Sequence, residues 1–166
     1  MTLMRSALWC FSTLLSAAAL AQPSGEAIPG ELTAWVKSYA ATRKAADGGA
    51  VNYYEAGTLL AQGQLGGEKA AAIVFTLEGI QSPNGYQQFL GVFWQRGGHY
   101  AFCCSRRVGG KGDRSVERLR FLGGSVHLSG KQYVPASDAL CCPSKSYAQT
   151  FAVRGSELVD APTQID

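Results

Sequence analysis

Between Glu31 and Ala46 the apolar side chains Leu32, Trp35, Val36 and Tyr39 recur at steps of one, three and four, which puts them on one face of a helix, and Gly48-Gly49 supplies a stop. The spacing predicts one amphipathic helix over Glu31–Ala46, with its Trp and Tyr stripe in the core. After the double glycine the chain turns to short runs rich in β-branched and aromatic residues, broken by glycine, which is the pattern of strands. Strands are expected at Gly57–Gln64, Ala70–Glu78, Tyr86–Gln95, Tyr100–Arg107, Ser115–Phe121, Val126–Lys131, Tyr147–Val153 and Glu157–Val159. Gly97-Gly98, Gly123-Gly124 and Arg154-Gly155 read as tight two-residue connections. Three hairpins in sequence imply an antiparallel meander. The expected class is α+β: an N-terminal amphipathic helix packed on a curved antiparallel β-sheet, either a meander or an incomplete barrel.

Two stretches interrupt this regularity. Val108–Arg114 is a glycine-rich turn carrying Lys111 and Asp113, and Gln132–Ser146 contains Cys141-Cys142 followed by Pro143. Loops on rigid sheets commonly carry binding. Gly109-Gly110-Lys111-Gly112 lacks the four-residue spacing and the Ser or Thr after lysine that a phosphate loop requires, so it reads as a tight strand connection. Around it Arg106, Arg107, Lys111, Arg114, Arg118 and Arg120 outnumber Asp113 and Glu117, which makes this the one basic region. Its bland reading is solvated surface. Its sharper reading is a docking patch for an acidic partner, with Arg106, Arg107, Lys111, Arg114, Tyr133 and Asp138 as candidate partner-binding residues.

The start of the chain has Arg5, an apolar stretch from Ala7 to Leu20 and the small-x-small end Ala19-Leu20-Ala21, which reads as a signal peptide over 1–21 cleaved after Ala21. The apolar stretch is shorter than the roughly 20 residues of a spanning helix. No stable membrane span is expected after cleavage, and Cys10 leaves with the leader. Residues 22–30, with two prolines and two glycines, read as a flexible lead-in to a single domain over 31–166. The whole chain carries 15 basic and 12 acidic residues, and cleavage removes only Arg5 from that balance. A nearly neutral domain in an oxidising compartment gives no support for a nucleic-acid partner. The expected location is periplasmic or secreted.

Asp138-Ala139-Leu140-Cys141-Cys142-Pro143-Ser144, preceded by Tyr133 and followed by Tyr147 and a closing Gly-x-Leu-Val strand, resembles the C-terminal signature of LppP/LprE-type envelope lipoproteins. The resemblance covers Gly57 to Val159 and implies an envelope location and a β-rich domain. Those families are themselves mostly of unknown activity, so it implies no reaction. This chain departs from the signature in lacking a lipidated cysteine and in carrying Cys103-Cys104.

Cys103, Cys104, Cys141 and Cys142 are expected to form disulfides. Adjacent α-carbons lie about 3.8 Å apart across a trans peptide, below the roughly 4.4–6.8 Å usual for a bridge, so vicinal bonds are strained. Chain entropy favours a long link: closing the loop from Cys103 to Cys141 stabilises by about 4 kcal/mol, against about 1 for an adjacent pair. Strand geometry opposes it, because neighbours in a strand point to opposite faces unless a bulge intervenes. The resemblance favours Cys141 bonded to Cys142. Two vicinal bridges, two cross-links and partly free states all remain open at this level. Metal binding is disfavoured because adjacent cysteines lack the gap of a zinc clip, and the Cys-x-x-Cys redox motif is absent.

Of the two histidines, His99 falls at a hairpin exit and His127 in a strand. Neither Gly124-Ser125-Val126 nor Pro143-Ser144-Lys145 forms a nucleophile elbow. No catalytic residues, cofactor or metal ligands are singled out by the sequence, which leaves enzymatic activity uncertain and leans against it. The expected function is an exported, non-catalytic envelope protein that binds another envelope protein, such as an immunity or inhibitor protein; the alternative is a thiol-disulfide or metal-handling factor using the two Cys-Cys pairs.

Overall fold

A computed structural model of the chain describes residues 28–80, 82–140 and 142–163. The expected leader and most of the lead-in therefore lie outside the described residues. Helix α1 occupies Gly30–Ala41, five residues short of the expected end. Pro29 precedes it, and the Pro29 carbonyl accepts the amides of Leu32 and Thr33. At the far end the Thr42 hydroxyl donates to the Tyr39 carbonyl at 2.7 Å, and the Arg43 amide donates to that of Ala40. Lys44 then bridges to Ala50, and the Ala46 amide donates to Gly79. Backbone groups that would have extended the helix are satisfied by the local turn around Gly49 and by Gly79 instead.

Among the described residues eight strands follow, in two four-stranded sheets with sequential neighbours antiparallel within each sheet. The first sheet holds β1 (Asn52–Leu65), β2 (Glu68–Glu78), β3 (Tyr86–Arg96) and β4 (His99–Gly110). The second holds β5 (Arg114–Leu122), β6 (Ser125–Gln132), β7 (Lys145–Arg154) and β8 (Glu157–Ala161). Gly97 and Gly98 turn with φ of 59° and 86°, the left-handed pair that matches a tight hairpin to strand twist. The last hairpin turns at Gly155-Ser156, one residue beyond the expected pair. The ladder breaks between β4 and β5, so the single curved sheet expected from the sequence is two separate sheets.

The layers are helix, first sheet and second sheet. β2 is buried on both faces, which is why its apolar run is continuous rather than alternating. Ala70, Ala72 and Val74 join Leu90, Val92 and Cys104 against Val116, Val126, Leu128, Phe151 and Leu158 of the second sheet. Ala71, Ile73, Phe75 and Leu77 face the other way, with Phe89 and Phe93, under Leu32, Val36 and Ala40 of α1. Trp35 lies on this aromatic floor, stacked on Phe102 at 4.5 Å and edge-on to Phe93 at 5.0 Å. Fully burying one such side chain contributes about 1.5–3 kcal/mol.

Candidate functional site

The basic region is assembled by four strands and one turn. Arg106 and Arg107 stand near the end of β4, Arg114 opens β5, and all three line a small cavity of about 150 Å³ with Val108, Asp113 and Gln149. Asp113 accepts from Arg107 at 3.2 Å and from Arg114 at 3.3 Å. Arg106 reaches across to β8, donating to the Leu158 carbonyl at 3.1 Å and the Asp160 carboxylate at 3.2 Å. Arg114 donates to Gln149, which donates to Asp160. Arg106 also lies over the Phe151 ring and Arg114 over that of Tyr147, at 5.2 and 5.5 Å. These ion pairs are part-exposed, so each contributes only about 0–1 kcal/mol. Gln149 and Asp160 carried no signal in the sequence, because β7 and β8 reach the cluster only through the packing of the two sheets.

Lys111 stands apart from the cavity, at the β4–β5 turn, where its ammonium donates to the Asn84 carbonyl at 3.0 Å. The turn is the tight connection expected from its glycines, although β4 runs on to Gly110 before it. The Tyr133 amide donates to the Asp113 carbonyl at 2.7 Å, and the Leu140 side chain lies over Gly112. The basic turn and the cysteine loop therefore share one face. Leu140 is exposed there.

Asp138 is turned into its own loop. Its carboxylate accepts from the amides of Val134 at 2.8 Å and Ser144 at 2.9 Å and from the Ser137 hydroxyl, tying the two ends of the loop together. Bonding to Ser144, reinforced by the Val134 amide, holds this carboxyl below the usual range. Its role is to shape the loop, and only Arg106, Arg107 and Arg114 of the candidate residues converge in one cavity.

Cys103 and Cys104 are thiols, so the expected disulfides at these two positions are not present and neither residue is bridged to the loop. Cys142 is disulfide-bonded, and Cys141 lies outside the described residues. β4 bulges at Cys103: Val92 pairs with Cys104 and Phe93 with Phe102, leaving Cys103 as the extra residue. The bulge cancels the alternation that would have sent the two sulfurs to opposite faces. They stand 3.1 Å apart, Cys104 within the core between the sheets and Cys103 at its margin. Burial, and then the neighbouring Cys103, push the Cys104 thiol pKa far up.

His127 is buried, with Nδ1 3.1 Å from the Thr150 hydroxyl and Nε2 3.2 Å from the Leu122 carbonyl, so both ring nitrogens have internal partners. His99 bonds Glu31 at 2.7 Å and fastens the β3–β4 hairpin to α1. A larger depression of about 550 Å³, lined by Lys37, Arg43, Asn52, Tyr53 and Glu55 among others, lies between the end of α1 and β1. The arginine cavity is the better candidate despite its smaller size, because charged groups from separate strands converge on it. Among the described residues no cluster of His, Cys, Asp or Glu is placed to hold a metal ion, and no helix is long and apolar enough to cross a membrane. No family model, curated protein or solved structure matches the chain.

Proposed function

We propose that this chain is an exported, non-catalytic envelope protein that binds an acidic protein partner, in the manner of an immunity or inhibitor protein. The binding face comprises the β4–β5 turn, the arginine cavity and the loop around Leu140. One observation carries the reading: three guanidiniums share a cavity with a single lining carboxylate, Asp113, Asp160 pairing with Arg106 from β8, and exposed Leu140 stands beside the adjoining turn. That combination supplies surplus positive charge to steer an acidic surface and an apolar side chain to anchor it. The leader-like start of the sequence and the resemblance of the cysteine loop support the envelope location.

Capture from an envelope extract tests this reading. Lys111→Glu combined with Leu140→Ser is expected to abolish capture, while the double change Cys141→Ser with Cys142→Ser retains it in part. Capture unaffected by the first pair of changes would defeat the proposal.

A further inference from the structure

The bulge at Cys103 places two thiols side by side where a regular strand would separate them, and Cys103 lies 3.9 Å from the Gly155 carbonyl at the β7–β8 turn. Their 3.1 Å separation is about 1 Å longer than a disulfide bond. Cys103 is half-buried and Cys104 buried, which gives the pair an outer and an inner sulfur. We propose that Cys103 and Cys104 are a reversible vicinal dithiol–disulfide couple that exchanges with an external small-molecule or protein disulfide.

The steps follow from that asymmetry. Cys103 loses its proton to solvent, and its thiolate attacks one sulfur of the external disulfide. The external S–S bond breaks, one thiolate leaves and takes up a proton, and Cys103 holds the other half as a mixed disulfide. Cys104 then gives up its proton and attacks the Cys103 sulfur, expelling the second external thiolate, which is protonated in turn. Two protein thiols are oxidised to one disulfide, and one external disulfide is reduced to two thiols. The reverse exchange opens the ring, and the strain of bridging adjacent residues favours that opening. This couple is independent of the docking face.

The test uses the full chain equilibrated in glutathione buffers of varied redox poise, trapped with alkylating agent and digested without reduction. Trypsin releases both sulfurs in one peptide, Gly97–Arg106. That peptide is expected to pass between a doubly alkylated form, from the dithiol, and an unalkylated form that holds the internal disulfide. Cys104→Ser should instead accumulate glutathione on Cys103, whereas Cys103→Ser, changed at the half-buried position, should take up little at Cys104. Phenylarsine oxide should bind the reduced native chain one-to-one and neither variant tightly. A peptide that stays a dithiol at every poise, stops at a stable mixed disulfide in the native chain, or is joined to the Cys141-Cys142 loop would overturn the proposal.

Discussion

The side-chain amide of Gln88 in β3 is bonded across the sheet–sheet seam to the backbone of Val116 in β5. Val116 N–H donates to Gln88 Oε1 at 2.8 Å, and Gln88 Nε2 donates more weakly to the Val116 carbonyl at 3.5 Å. Both residues are buried, so this amide stands in for a ladder that the two sheets do not form. Gln88→Leu should cost about 1–3 kcal/mol, because it strands a buried backbone donor. Urea unfolding is expected to show a lower midpoint at unchanged slope. An unchanged midpoint would mean that Val116 is satisfied without Gln88.

A second seam contact is steric. A β-carbon added at Gly63 of β1 would stand 2.5 Å from Cγ of Phe121 on β5, too close for any real contact. Gly63→Ala should therefore destabilise by about 1–3 kcal/mol through overpacking. Combined with Phe121→Leu it should cost less than the sum of the single changes, since the two residues touch. Strict additivity in a double-mutant cycle would contradict this packing.

Much of the element order was legible because it is local. Leu32, Val36 and Ala40 repeat at helical steps, and Gly97-Gly98 and Gly123-Gly124 announce their turns. The break after β4 was not legible, because it depends on Gln88 and Phe121 meeting partners far away in sequence. The bulge at Cys103 was hidden for the same reason: Val92 and Phe93 of β3 set its register. The arginine run was visible as charge, but its partners Gln149 and Asp160 arrive from the second sheet. Asp138 looked available for a partner, and its bonds to Val134 and Ser144 were beyond the reach of spacing.

Acid should loosen two ties. Glu31 is held below the ordinary carboxylate range by the bond from His99 and the Tyr100 amide, and Asp138 by its loop partners. The folded chain therefore binds fewer protons than the unfolded chain near pH 4, so stability rises with pH there. The contribution of both groups is present above their unfolded values of about 4 and is lost as pH falls through the lower folded values. In Glu31→Gln with Asp138→Asn the decline in melting temperature from about pH 5 to about pH 2 should be shallower than in the native chain. Superimposable profiles would show that neither carboxylate matters to acid stability.

Tyr147 presents the opposite case. Among the described residues its hydroxyl is buried without a partner, and burial raises its pKa to about 12. Tyr147→Phe removes an unsatisfied polar group and keeps the ring under Arg114, so it should be neutral or stabilising by about 1 kcal/mol. A loss of that size in thermal or urea unfolding would reveal a hydrogen bond to this hydroxyl.

The association rate with the captured partner, followed as salt is raised, tests the docking account most directly. Electrostatic steering predicts a steep fall in rate with ionic strength and a further fall for Arg107→Glu with Lys111→Glu, both changed at exposed positions. Dissociation should change less than association. A rate indifferent to salt and to both charge reversals would contradict the assignment of this face.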